Sequence, residues 1–438
     1  MSSQPPTPGM KATRFPPLTR GFEFEFLIPF RFDKVDGYQD IVIPEGKHFT
    51  MYAGCIVLPR ENFYHDVPEI MFADARNECH HILYGLLTMH GIDCNDPGSV
   101  ETYDTLPPEP GHPNAQVAGA PVYYRWNIKS DASLGALWAD HWSEDAGPYQ
   151  LADVEIVSPP LLDNDPDADK QIKTVLEIIQ NVFLCFTPKC CGLHIHIGQG
   201  NVFFDADAAK QLAALFLCVE RLFNSLHPGH RRLDPFNHPS IRNWTNAGAG
   251  MTAEEANNPR HTVNTWDEWT REYEPEVPTP RATLQRGVEA LLGTTSVPAV
   301  IKMMTAPDRP AYTFDNLLNH VKPTIECRQG AGTLNPEWAL HWSHILAAVV
   351  DLGRRANGTL FWLHLVPTLS LIGENGEASE GAMTIDAFVR NVLKLPETAN
   401  YIARTTPHER CYPPLKGDQV TWRRNPELIP QIKPAMLP

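Results

Sequence analysis

The sequence predicts an α+β protein built on a mostly antiparallel sheet, and three observations carry that expectation. Short segments alternate apolar and polar residues at the period of a strand, and longer ones repeat apolar residues at the period of a helix. The two kinds do not follow one another in the regular β-α-β order that a parallel sheet requires. Residues 19–438 read as one domain, preceded by a polar, proline-rich stretch over 1–18 that reads as a disordered arm.

The first element is GFEFEF at 21–26. Successive side chains of a strand point to opposite faces, so Phe22, Phe24 and Phe26 share one face and Glu23 and Glu25 the other, roughly 6–7 Å apart. A solvated outer face and a metal site are both open readings of that pair. Residues 41–66 are irregular with short strands. Helical spacing over 68–90 ends at Gly91, a natural stop. After a Pro/Gly-rich loop, 123–134 reads as a strand running into a turn. LADVEIVSPPL at 151–161 is a strand stopped by two prolines, with Asp153 and Glu155 on one face. A helix with an acidic first turn follows over 167–186. GLHIHIG at 192–198 sets His194 and His196 opposite Leu193, Ile195 and Ile197, and a second strongly periodic helix covers 205–226.

A polar insertion over 228–280 keeps aromatics such as Trp244, Trp266 and Trp269. Helical spacing returns over 282–304. The strand at 323–330 places Glu326 and Arg328 opposite Ile325 and Cys327, and a helix over 335–356 opens with Asn335 as cap and Pro336 in its first position. The part from about 357 onward shows one clear helix, near 384–395, and a proline-rich tail.

Composition narrows the function classes. Hydrophobic residues make up 42% and charged ones 20%, ordinary for a soluble globular chain. A net charge of −16 with no Lys/Arg cluster argues against nucleic acid and against anionic membrane surfaces. No apolar run approaches the ~20 residues of a membrane span, and no signal-peptide pattern opens the chain. Nine scattered cysteines without a C-x-x-C pair read as reduced thiols, which predicts a cytoplasmic protein. Cys190, Cys191 and Cys327 read as buried apolar residues rather than nucleophiles, and His320 as structural.

Taken singly, each charged strand also suits a solvated face, a structural histidine or an in-strand ion pair. Four such strands together are different, because a solvated face collects Lys, Thr and Ser rather than carboxylates and histidines. Were they neighbours, the carboxylates would repel one another unless cations intervened. Glutamate oxygens with an imidazole suit Mg²⁺ or Mn²⁺ better than a closed zinc site, and Arg328 would then suit a phosphate.

The ordered set G-F-E-F-E, D-A-S-L, V-E-I-V-S-P, C-G-L-H-I-H-I-G and I-E-C-R-Q-G-A-G-T-L-N-P-E-x-x-x-x-W resembles the amidoligase family. That family belongs to the carboxylate–amine ligase superfamily of glutamine synthetase and glutamate–cysteine ligase, and the likeness runs from about residue 20 to about 355. The resemblance implies a curved antiparallel sheet with helices on its convex face, as in the glutamine synthetase catalytic domain. Its concave face would hold two or three Mg²⁺ ions and the phosphates of ATP. It implies Glu23, His194 and Glu326 as ligands of the ion bridging the phosphates, and Glu25, Glu155 and Asp131 as ligands of the ion near the substrate carboxylate. Asp131 ends the stretch Trp126–Asp131 that stands for the family's W-x-V-x-x-D. His196 would contact nucleotide or substrate, and Arg328 would stabilise the transferred phosphoryl group. Arg231, Arg232 and Arg242 are the arginines that would reach phosphate after the second helix. The implied partners are a small-molecule or peptide carboxylate and an amine. Three other readings stay open: a phosphotransferase of the same fold, a hydrolase using the HxH histidines and Glu326 around zinc, and a non-catalytic binding protein.

Overall fold

The computed structural model describes residues 15–52, 54–63, 68–99, 123–131, 134, 148–232, 239–257, 282–306, 309–356 and 359–412. The strands are β1 (Thr19–Phe32), β2 (Thr50–Tyr52), β3 (Cys55–Leu58), β4 (Asn127–Lys129), β5 (Tyr149–Val157), β6 (Leu161–Leu162), β7 (Gly192–Gly198), β8 (Tyr312–Thr313) and β9 (Thr324–Ala331). They form one open, mixed sheet in which β1–β3 is parallel and the other ladders are antiparallel. The architecture is α+β, as expected.

β1 is the axis of the sheet. It runs well past GFEFEF because it is flanked on both sides: β5 pairs with Glu23–Arg31, β7 with Thr19–Phe24, and β3 with its last three residues. The order across the middle is β4-β5-β1-β7-β9-β8. Phe22, Phe24, Phe26, Ile28 and Phe30 point to one side and join a continuous core with Val154, Ile156, Ile195 and Ile197. Helices α1 (Pro68–Met89), α2 (Pro166–Val182) and α3 (Ala206–Asn224) cover that side, together with α6, defined below. Burying this face is the main stabilising term and fixes which way the polar alternates point.

The helix ends follow local chemistry. Asp165 caps α2 through the N–H of Asp167, Asp205 caps α3 through that of Ala208, and Gly91 leaves α1 at φ +77°. α2 stops four residues short of the expected 186 because Leu184 and Phe186 donate their N–H groups to Gly54 and Leu27 and join the sheet. The helical stretch over 282–304 is two helices, α4 (Leu284–Leu292) and α5 (Val297–Met304), broken where Ser296 caps the second and Pro298 opens it. α6 (Pro336–Arg355) is capped by Asn335, whose side chain accepts the Glu337 N–H. Beyond it lie α7 (Thr359–Ser370), α8 (Pro396–Arg404) and α9 (Pro407–Cys411), none of them expected. The helix expected near 384–395 is a short turn, Ile385–Ala387, followed by a wide turn over Phe388–Val392 and ended by Lys394 at φ +62°.

Residues 15–18 of the expected arm are packed: Leu18 is buried, and Arg354 donates to the Pro16 carbonyl at 2.6 Å. Residues 1–14, the tail from 413, and the part of the 228–280 insertion that holds Trp266 and Trp269 lie outside the described residues. Among the described residues no helix is long and apolar enough to cross a membrane. None of the nine cysteines is in a disulfide, and Cys94, Cys185 and Cys190 are the partly exposed ones.

Candidate active site

The strands that carry alternating carboxylates and histidines are consecutive neighbours, β5-β1-β7-β9. Register then decides what meets what. Glu25 stands opposite Glu155, Glu23 opposite His194, and His196 opposite Glu326. β9 carries a bulge facing the Leu193–Ile195 stretch, at Arg328 and Gln329. All of these side chains except that of Arg328 are buried.

At one end, ligand-capable atoms of Glu23, His196 and Glu326 lie within 4.8 Å of one another. His196 Nε2 is 2.8 Å from Glu23 Oε1, and Lys322 Nζ donates to the same oxygen at 2.9 Å. Arg328 donates to Glu326 at 2.6 Å. Burial opposes charge here, but the Lys322 ammonium and the His196 ring hold the Glu23 carboxyl well below the usual range. Likewise burial is overcome at Glu326, where His196 and Arg328 bring the carboxyl down to about 2. His194 sits between the two ends. Its Nδ1 is 3.3 Å from Glu23, 3.4 Å from Glu25 and 3.4 Å from Arg328, and burial together with the Arg328 charge pushes it down to about 4. The converging trio therefore holds His196 in the place that the resemblance gives to His194. Among the described residues, the two histidines do not form such a group with Glu326.

At the other end, Glu25 accepts the Gly192 N–H at 2.6 Å but faces Glu155 and Asp131. Burial, then the Asp131 charge, pushes its carboxyl well above the usual range. Burial and the charge of Glu23 raise Glu155 to about 7, against the pull of Lys129 at 3.2 Å. Asp153 accepts the Asp131 N–H at 3.1 Å and so holds the turn that presents Asp131. Among the described residues Glu25, Glu155 and Asp131 do not converge as Glu23, His196 and Glu326 do, and it is the two carboxylates and the imidazole of that trio that fit a hard divalent cation.

A family model described as a "putative amidoligase enzyme" matches residues 112–350. The chain belongs to the amidoligase family. Nothing among curated proteins or solved structures matches it. Membership implies a ligase enzyme, and the matched span takes in β5, β7 and β9. β1, which supplies Glu23 and Glu25, precedes it.

The amidoligase places its other expected arginines unequally. Arg231 is buried, and its Nη2 donates to the carbonyls of Arg328 and Gly330 at 2.8 and 2.9 Å, so it braces β9 from within. A Cβ on Gly192 would lie 2.5 Å from the His194 ring and 3.1 Å from Arg231, which is why only glycine fits there. Arg242 is not brought to the polar face. Glu220 on α3 accepts the N–H groups of Ile241 and Arg242, and α3 packs on the opposite face of β9, where Gln329 donates to Asn224. Burial and the Arg221 charge lower Arg242 to about 10. Arg232 donates to the His227 carbonyl. His320 is exposed and packs edge-on against Phe203.

Sequence reasoning missed Lys322 and Lys129 as parts of the site, and it placed Asp153 beside Glu155 on the polar face without giving it a role. Lys322 sits in a loop with no period to reveal it. Lys129, by contrast, lies in the named Trp126–Asp131 stretch, one side-chain repeat before Asp131. Beside the trio opens a cleft whose apolar wall is Tyr123, Val157, Pro160, Val321 and Pro323 and whose polar edge is His196, Lys322 and Thr324.

Proposed function

We propose that this chain is an ATP- and Mg²⁺-dependent carboxylate–amine ligase that forms its amide through an acyl phosphate, on a glutamine synthetase-like sheet. The observation that carries the reading is the register, which lays Glu23, Glu25, Glu155, His194, His196, Glu326 and Arg328 on one face of four adjacent strands. Glu23, His196 and Glu326 would hold one divalent cation at the nucleotide end, with His194 beside them. Glu25, Glu155 and Asp131 would hold another at the acid end, and Mn²⁺ suits the same donors. When bound, such ions screen the charges of the phosphates and of the acid.

A carboxylate is a poor electrophile, so the reaction first moves the γ-phosphoryl group of ATP onto a carboxylate oxygen and releases ADP. The amine nitrogen then bonds to the acyl carbon, phosphate leaves with the former carboxylate oxygen, and the amine gives up a proton. This chemistry asks the protein for position and charge rather than for a nucleophile. Arg328 is aimed by its bond to Glu326 and would donate to the phosphoryl oxygens as charge builds on them. Lys322, at the mouth of the apolar cleft, would take the preceding phosphates while the cleft receives the base. The burial of Glu25 and Glu155 keeps water from the activated acyl group. Cysteines outside disulfides suit the reducing cytoplasm expected for such an enzyme.

The test is ADP release with Mg²⁺ across a panel of acids and amines. Release beyond a single turnover should require an acid and an amine together. Phosphorylated acid accumulating without need of amine points instead to a phosphotransferase, and chelator-sensitive hydrolysis without ATP to a hydrolase.

A further inference from the structure

The segment Pro396–Tyr412 lies beyond the family-matched span, yet it is bonded to both pieces of chain that set the arginines of the site. Arg410 is buried, with its guanidinium 5.2 Å from the centre of the Trp338 ring. Its Nη2 donates to the Leu226 carbonyl at 3.1 Å, and its Nη1 to those of Ile402 and Thr405. The Arg410 carbonyl in turn accepts from Asn335 at 2.7 Å, and that of Cys411 from Thr333 at 2.7 Å. The Tyr412 hydroxyl reaches His230 at 3.5 Å.

Apart from α6 and the segment itself, these partners fall in two places. Leu226 and His230 belong to the turn that carries Arg231, while Thr333 and Asn335 follow directly on β9. Arg231 closes the circuit, because it holds the carbonyls of Arg328 and Gly330 beside the bulge. A buried guanidinium that bonds three carbonyls through its two Nη groups and lies against an indole face is a rigid joint rather than a loose surface contact. Phosphoryl transfer is sensitive to displacements well under 1 Å, so a joint behind the phosphate-binding arginine matters to the chemistry.

We propose that Arg410 is a positioning residue of the active site: it fixes the turn that carries Arg231 and, through Arg231, the bulged backbone from which Arg328 projects. The inference rests on Arg328 acting on the phosphoryl group, as proposed above. The C-terminal helices are then part of the catalytic unit.

The test uses the full chain with Arg410→Met, Arg410→Lys, Arg231→Met and the double variant Arg231→Met/Arg410→Met. Affinity for Mg²⁺ with a non-hydrolysable ATP analogue is read by calorimetry, and backbone amide exchange is read without nucleotide. Arg410→Met should weaken the analogue about tenfold and speed exchange over 226–232 and 324–331 while leaving 166–182 unchanged. Arg410→Lys should recover part of both effects. The double variant should bind no more weakly than Arg231→Met alone, since both act through one joint. Wild-type affinity and wild-type exchange over 324–331 in Arg410→Lys and Arg410→Met would overturn the proposal, as would additive losses in the double variant. If Arg410→Met does not fold, Arg410→Lys decides by the same two readouts. Wild-type protein that ignores the analogue contradicts the ligase reading instead, and the exchange measurement still tests the joint.

Discussion

The two ends of the polar face hold the same kind of side chain in opposite electrostatic states. Around Glu23 and Glu326 the protein supplies its own cations, Lys322 and Arg328, and both carboxyls are held low. Around Glu25 and Glu155 burial and the neighbouring carboxylates outweigh Lys129, Arg231 and a backbone N–H, and both carboxyls are held high. Burial is similar at the two ends, so the difference comes from the arrangement of charge rather than from desolvation. The end proposed for the nucleotide therefore carries its own counter-ions. The end proposed for the acid is shifted toward the protonated form, which a divalent cation would reverse.

The largest expected effect breaks the nucleotide end. Glu326→Ala and Arg328→Ala should each lower ADP release by at least about 10²–10³-fold with the fold retained, since Arg328 is aimed at the developing charge and Glu326 both aims it and would hold the cation. Near-normal turnover in either variant removes the basis for the site. The next prediction sets the two ends against each other. Glu23→Gln strips the part-buried Lys322 of its counter-ion, so the melting temperature of the ligand-free protein should fall. Glu25→Gln replaces a carboxyl that already favours its neutral form, so the melting temperature should hold or rise while Mg²⁺ binding is lost. Shifts of the same sign in both variants would erase the contrast.

A smaller effect sharpens it. Because the folded-state carboxyl of Glu155 is raised to about 7, the folded chain binds more protons than the unfolded one between about pH 4.5 and 7. Its contribution to stability is present below that window and is lost as pH rises through it. Scans of the ligand-free protein should therefore show this loss between pH 5 and 7.5 in wild type and not in Glu155→Gln, and Mg²⁺ should reduce it.

Much of this was legible from residue order, and the reasons are local. Period-two alternation marks β7 from Gly192 to Gly198, and capping chemistry marks the starts of α2, α3 and α6, because both signals lie within a few residues. Strand neighbours are set by long-range packing. The pairing of Glu25 with Glu155 and the bulge at Arg328 thus appear only in the fold, and so does the convergence of His196, rather than His194, with Glu23 and Glu326. Arg242 was expected at phosphate from its place after a helix, but two N–H bonds to Glu220 turn its loop toward the helical layer. Pro396 and Pro407 read as parts of a tail, whereas each occupies the first turn of a helix, the one helical position where a missing N–H costs nothing. That tail-like segment is the one bonded to the Arg231 turn.

The central claim is that this face binds a divalent cation together with ATP. The most direct test is the melting temperature of wild type and Glu326→Ala with saturating Mg²⁺ and a non-hydrolysable ATP analogue. A ligand that binds only the folded state at 100 times its Kd adds about 2.7 kcal/mol, so wild type should rise by several degrees and Glu326→Ala should not. No shift in wild type, or an equal shift in both proteins, would contradict it.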